Sequence, residues 1–385
     1  MPGTNPLNVE KQERHSGERD VNLGKRNVVV AAAFPPPLHG LSKISASIAS
    51  DLAGLANVRC YDLSSRSLTR SPSYHWRRFL SAIMAAFGIM RNARRLHPCV
   101  YLPADGGLGL VYTLLLASLA RISSQAIFVH HHSFSAVDRR QVLMTAMVRI
   151  AGSEATHIFL CEVMERRFRQ NYAGSWKGLI SSNAVHLSAI VDTPAEARDV
   201  LRLGLLGNLT RDKGLHVFLD LLRACAARGV SVQGILAGPA EHPEDAVAIE
   251  AARAELGERL NYLGPLYGAD KDRFLSGLDV FVFPTSYRNE AQPNAIFEAM
   301  SAGVAVVVFA RGCLSEDVTP DCGVLIDPSI DFIPAACAQI ASWSEDRATL
   351  NAAKSASRRR FAECRQRAEI GYQALLDAIS GGVAP

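Results

Sequence analysis

Residues 281–308 read FVFPTSYRNEAQPNAIFEAMSAGVAVVV, and this stretch decides the fold. An apolar run comes first, and Pro284 ends it. A polar loop follows and carries Glu290. Pro293 suits the first turn of a helix, where its missing N–H is not needed. That helix carries Glu298 and stops at Gly303, and a second apolar run follows. Strand, loop, helix and strand in this order make one unit of a parallel sheet. Glu290 sits on the loop at the helix start, and Glu298 lies about one and a half turns inside the helix. Both lie near the carboxyl end of a strand, where open α/β sheets bind ligands.

The same alternation extends in both directions. Upstream, 201–207 (LRLGLLG) is a strand, and NLTRDKG is a loop holding Arg211, Lys213 and Gly214. A helix covers 215–228, a strand ends at Gly238, an acidic helix covers 243–256, and 260–266 is a short strand and turn reaching Leu266. A short helix lies at 270–278. Downstream, 311–318 is a loop, 323–327 a strand, and two helices run to about 379. The run SRRRFAECRQR at 357–367 reads as a solvated basic face.

The N-terminal half repeats the pattern. The run NVVVAAA at 27–33 has the continuous apolar character of a strand buried on both faces. FPPPLHG follows, and a helix begins near 42. A strand, a glycine turn at Gly40 and a helix start form an anion site, because free N–H groups face outward there. An ordinary connecting turn reads the same way. Further strands fall at 58–63, 99–104, 125–130, 156–161 and 178–182. The expected fold is therefore α/β, with two doubly wound Rossmann-like domains facing a central cleft. The expected divisions are a disordered leader at 1–25, an acceptor-binding domain at 26–187, a linker at 188–200, a nucleotide-sugar-binding domain at 201–365, and a C-terminal helix and tail at 366–385 that packs back on the N-terminal domain.

A chain of 385 residues exceeds one ordinary core. With 48% hydrophobic and 20% charged residues it is globular. A net charge of +4 does not argue for nucleic acid. The eight cysteines include no CxxC spacing, so they read as unpaired small hydrophobes of a reducing cytoplasm rather than metal ligands. The first 25 residues are polar and charged, unlike a signal peptide. The most apolar segment, 108–120, is too short to cross a bilayer.

Two local patterns allow two readings each. The helix at 74–96 places Trp76, Phe79, Leu80, Ile83, Phe87 and Met90 on one face, with arginines at both ends. It reads as an interfacial helix on an anionic membrane surface, or as a core-facing helix with a basic outer side. The strand 125–130 ends in VHHHSF. Alternation turns His131 away from His130 and His132, so a metal trio is geometrically poor. One of these rings faces the cleft, or the three line a polar surface patch.

With these residues in view, the chain resembles the GT-B retaining glycosyltransferases, specifically family 4, the glycosyl transferases group 1. The resemblance is strongest over 201–327. EAQPNAIFEAMSAGVAVV is similar to that family's paired-glutamate motif, GNLTRDKG to its first C-domain loop, and FPPPLHG to the N-domain glycine loop. The resemblance implies a hexosyltransferase-type enzyme that moves a sugar from a nucleotide diphosphate sugar to a hydroxyl acceptor. It implies no cofactor and no metal.

It also implies residue roles. Glu298 would accept hydrogen bonds from the ribose, and Glu290 would hold sugar hydroxyls. Lys213 and Arg211 would neutralise the departing diphosphate. Amides near Asn294 and Ala295 would add N–H donors. His131 or His132 would lie near the sugar. Gly40, Gly207, Asn208, Gly238 and Leu266 complete the expected donor site.

Two departures stand out. Asn208 occupies the place of the family's arginine, and Ala291 and Pro293 replace loop glycines. The acceptor reads as a glycan or lipid-linked saccharide of an envelope polysaccharide, handled at the cytoplasmic membrane face. The alternatives are a nucleotide-sugar epimerase of the same architecture and a non-catalytic nucleotide-binding subunit.

Overall fold

The computed structural model describes residues 24–36, 40–64, 72–104, 106–190 and 199–382. Most of the leader, residues 37–39 of the FPPPLHG loop, and most of the linker lie outside the described residues.

The N-terminal half contains β1 (Asn27–Ala32), α1 (Gly40–Leu55), β2 (Asn57–Asp62), α2 (Pro72–Asn92), β3 (Pro98–Ala104), α3 (Leu110–Ile122) and β4 (Ala126–His131). It continues with α4 (Ser135–Asp138), α5 (Val142–Ala151), β5 (Thr156–Phe159), α6 (Glu162–Asn171) and β6 (Lys177–Ile180). The C-terminal half runs β7 (Leu201–Leu206), α7 (Leu215–Ala227), β8 (Val232–Ala237), α8 (Pro243–Leu256), β9 (Leu260–Tyr262), α9 (Gly268–Ser276) and β10 (Val280–Phe283). It ends with α10 (Asn294–Ser301), β11 (Ala305–Phe309), α11 (Leu314–Asp317), β12 (Gly323–Ile326), α12 (Phe332–Glu345) and α13 (Arg347–Ser380).

Each half is a six-stranded parallel sheet. The orders are β2-β1-β3-β4-β5-β6 and β12-β11-β10-β7-β8-β9. Apolar runs form the central strands because helices cover both faces: Val28, Val29 and Val30 are fully buried, as are Val306, Val307 and Val308. In each sheet the winding reverses once, between β1 and β3 and between β7 and β10. Loops leaving the two strands at such a point diverge to opposite faces and open a crevice. In this chain those loops carry Gly40 and Gly106 in one half, and Lys213 and Glu290 in the other.

The 34-residue α13 joins the halves. Its first part, including Phe361 and Cys364, belongs to the C-terminal core. Its last turns place Tyr372, Leu375, Leu376 and Ile379 in the N-terminal core, beside Ile48 and Leu52 of α1. Tyr372 Oη donates to Asp51 at 2.6 Å. The basic run at 357–367 differs from the solvated face read in the sequence. Arg358 donates to the carbonyl of Ala302 at 3.1 Å, past the end of α10. Arg360 donates to the carbonyls of Glu316 and Asp317, at 2.6 and 3.0 Å. Both satisfy carbonyls left free where helices stop.

Truncation after Arg367 removes four buried side chains from the N-terminal core, each worth about 1.5–3 kcal/mol of burial. The expected outcome is early loss of the N-terminal half, read as rapid cleavage within 24–190 in limited proteolysis.

Candidate active site

The site is assembled from loops at the two winding reversals. The loop after β7 makes its turn with Gly207 and Gly214, both at positive φ. A Cβ on Gly238 would lie 1.8 Å from the carbonyl of Gly207, so only glycine fits there. Gly214 seats against Pro284, and Ser286 donates its N–H to the carbonyl of Asp212 at 2.8 Å. The basic loop and the Glu290 loop are thereby held side by side.

Lys213 Nζ donates to Glu290 Oε2. The same ammonium lies over the rings of Tyr287 and Phe283, 4.9 and 5.9 Å from their centroids. Glu298 is paired as well: Lys271 of α9 donates to it at 2.6 Å. All four side chains are half-buried or less exposed than that. An unpaired carboxylate at this depth would be costly, so each glutamate holds one lysine. Arg211 is exposed on the same loop. Asn208 is exposed and donates through Nδ2 to Glu241. Leu266 is half-buried against the C-terminal core.

Pro293 is the residue that caps α10 rather than its first helical residue, with φ −71 and ψ 122. Asn294 and Ala295 therefore open the helix. The Oδ1 of Asn294 is buried and has no hydrogen-bond partner. Across the crevice, a Cβ on Gly40 would lie 3.6 Å from Asn294 Nδ2. Gly106 comes equally close to Asn289 Oδ1, at 3.7 Å. The structure thus brings Gly40, Lys213, Glu290 and Asn294 together, with Glu298 one helical turn beyond Asn294 on α10 and paired with α9.

Residues 201–343 match the family model described as Glycosyl transferases group 1. The matched stretch runs from β7 into α12 and holds Lys213, Lys271, Glu290 and Glu298. Solved structures share the whole GT-B arrangement. HepE of Anabaena, solved with UDP, has a TM-score of 0.65 at 15% identity, over 91% of this chain and 100% of that one. Sucrose-phosphate synthase of Thermosynechococcus elongatus has a TM-score of 0.62 at 16% identity, over 92% and 100%. At such identities the likeness shows the fold. One subunit of the human phosphatidylinositol N-acetylglucosaminyltransferase is 23% identical over 209 residues. That match covers 54% of this chain and 42% of the human protein, so the chain spans less than half of that relative.

Lys271 is a partner of a motif glutamate that sequence reading missed. It lies in ADKDR, among alternating charges, and its partner is 27 residues away. Nothing local marks it.

The histidine reading needs correction. His131 does not face the cleft. It is buried, with Nε2 2.8 Å from His157 Nδ1, and its ring stacks on Phe159. Strand alternation turns it into an aromatic cluster with Phe168 and Trp176. His130 and His132 point the other way, with ring centroids 3.9 Å apart. Tyr101 Oη lies 2.7 Å from His130 Nδ1. Burial, reinforced by His186, holds His132 down to about 3. The ring is therefore held in its neutral form near pH 7.

The cysteine reading is corrected too. Cys161, at the start of α6, is disulfide-bonded to Cys313, with Cα atoms 5.9 Å apart and a sequence separation of 152. The bond links the two halves beside the site, since Cys313 donates its N–H to the carbonyl of Ala291 at 2.9 Å. Neighbouring contacts reinforce it. Phe134 donates its N–H to the carbonyl of Asn289 at 3.4 Å, and Val163 donates to Glu316 Oε2 at 3.1 Å.

Two measurements check these assignments. Denatured without reductant, the chain should titrate six thiols of its eight cysteines, and eight after reduction. The second is stability against pH. Burial lowers His132 and His157 to about 3 and His186 to about 4. The fold therefore keeps the neutral rings, so their contribution is full above about pH 6.5 and is lost as pH falls toward those values. Asp317, raised to about 7 by burial, works in the opposite sense. Three imidazoles outweigh one carboxyl. The unfolding temperature should fall by several degrees from about pH 7.5 to about pH 5.

Proposed function

We propose that this chain is a retaining, metal-independent glycosyltransferase using a nucleotide diphosphate sugar. The observation that carries this is the pairing of both motif glutamates with lysines, Lys213 with Glu290 and Lys271 with Glu298, on the loop and helix whose first residue, Asn294, Gly40 approaches from the other half. The resting site is charge-balanced and ready to exchange partners. Ribose hydroxyls, which only donate to a carboxylate, would take Glu298. Sugar hydroxyls would take Glu290, leaving Lys213 and Arg211 for the diphosphate. Charge on that diphosphate grows as the bond to the sugar's anomeric carbon breaks, and fixed cations stabilise it. The acceptor oxygen would bond to the anomeric carbon on the same face and pass its proton to a departing phosphate oxygen. Fixed lysines would stand where other transferases use a metal. Relatives solved with UDP and UDP-glucose support such a donor.

The acceptor we infer is a lipid-linked or envelope glycan presented at the cytoplasmic face of a membrane. Among the described residues no helix is long and apolar enough to cross one, so the attachment would be peripheral. The division into an acceptor-binding domain at 26–187 and a donor-binding domain at 201–365 belongs to this reading. One observation favours a non-catalytic binding protein instead: Asn208 is engaged by Glu241 and brings no cation to the donor.

Thermal shift with UDP, GDP and ADP sugars is the first test. Glu298→Ala should abolish the nucleotide-dependent rise in unfolding temperature. Glu154→Ala, which breaks only an exposed pair with Lys177, should keep it. Glu290→Gln should lower kcat by about a hundredfold or more. Conversion of the donor without any acceptor would show an epimerase. Donor binding with no nucleotide release in the presence of acceptors would show a non-catalytic binding protein.

A further inference from the structure

The helix α2 is seated against its sheet by small side chains. Ala82, Ala85 and Ile89 are buried, and a Cβ on Gly88 would lie 2.1 Å from the Tyr61 ring. This close seat turns the large side chains outward. Trp76, Phe79, Leu80, Met84, Phe87 and Met90 are all exposed, Trp76 by 62% and Phe87 by 68%. The alternative of a core-facing helix is thereby overturned. From Trp76 to Met90 the stripe covers 15 residues of helix, a rise of about 21 Å. The neighbouring α3 adds Val111, Leu115 and Ile122. Arg78 lies over the Tyr112 ring at 5.3 Å and ties the two helices together. So broad an apolar face on a monomer ordinarily meets a partner.

Charge identifies the partner. Residues 72–104 contain five arginines, with no lysine and no carboxylate, and α3 adds Arg121 and no carboxylate, where the whole chain carries +4. Arg77 flanks the stripe at one end, and Arg91 and Arg94 at the other; all three are exposed. A second copy of this chain is disfavoured, because a two-fold interface would set the same arginine-rich patch against itself. An apolar stripe with an arginine rim matches the surface of an anionic bilayer, where aromatic rings enter the interface and guanidinium groups meet phosphates.

Topology adds an orientation. A helix between parallel strands runs back against them, so α2 and α3 both begin at the carboxyl edge of their sheet. Trp76 and Val111 therefore lie at the cleft end of the face, and Arg91 and Arg94 at the far end.

We propose that the α2–α3 face docks this chain on anionic lipid with the rim of the cleft at the bilayer surface, where an acceptor with a lipid anchor would enter. The orientation rests on the proposed transfer reaction; the docking does not.

The test is flotation of the full chain with phosphatidylcholine vesicles, with and without phosphatidylglycerol. Binding should require the anionic lipid and weaken with salt. Trp76→Glu with Phe87→Glu, and separately Arg77→Glu with Arg91→Glu, should each weaken it by roughly tenfold or more. Because these side chains are exposed, both variants should keep the parent's circular dichroism and nucleotide-dependent thermal shift. Trp176 and Trp343 are buried, so a blue shift of tryptophan emission on vesicles reports Trp76. Absence of vesicle binding overturns docking while leaving the donor result to stand or fall by itself. So does a stable dimer, or a complex with an acidic protein, that Phe87→Glu dissolves without any vesicle binding. If docking holds and the orientation is right, the Trp76→Glu, Phe87→Glu variant should lose transfer to a vesicle-borne acceptor and keep transfer to a water-soluble one. Equal loss on both acceptors overturns the orientation.

Discussion

One amide side chain ties the motif loop to the opposite half. Gln292 Oε1 accepts from the N–H of Asn183 at 2.8 Å and from Ser182 Oγ at 3.1 Å. Its Nε2 donates to both oxygens of Asp317, at 2.9 and 3.1 Å, and its own carbonyl accepts from Asn183 Nδ2 at 3.1 Å. The residue is buried, and an amide satisfied in this way cannot be exchanged for a charged or apolar side chain without orphaning partners. Gln292 stands two residues from Glu290 and two from Asn294, so the network presets the loop on which both depend. A glycine-rich loop would have to be ordered by its ligand, whereas this one is ordered by the opposite half of the protein. Burial pushes Asp317 up to about 7, and the hydrogen bonds from Gln292 pull against that rise.

The electrostatics of the cleft follow the same economy. Two carboxylates near a helix start would repel each other and attract stray cations. Pairing one with Lys213 of the loop after β7 and the other with Lys271 of α9 leaves both carboxylates neutralised and held in place. Lys213 is further held against two aromatic rings. A diphosphate would enter a site whose cations are already in place, with little left to reorganise.

Much of this was legible in the sequence, and the reasons are local. Continuous runs such as VVV at 28–30 mark buried parallel strands, and the Glu290–Glu298 interval survives because loop and helix are contiguous. What escaped was long-range. Lys271 and Cys161 find their partners through the fold, and no pattern in their own surroundings announces them. The alternation rule separated His131 from its neighbours without saying which face was the core. For α2, periodicity located the apolar stripe. Which side faced the sheet was decided by a contact no periodicity contains, Gly88 against Tyr61.

The long α13 has a mechanical consequence. The chain passes from the first half to the second before β7, and α13 returns it. The Cys161–Cys313 bond is a third tether, set among the loops of the cleft. With the bond formed, a covalent link joins the Gln292 network and the Phe134 and Val163 hydrogen bonds in resisting separation of the cleft loops; reduction removes only the covalent part of that restraint.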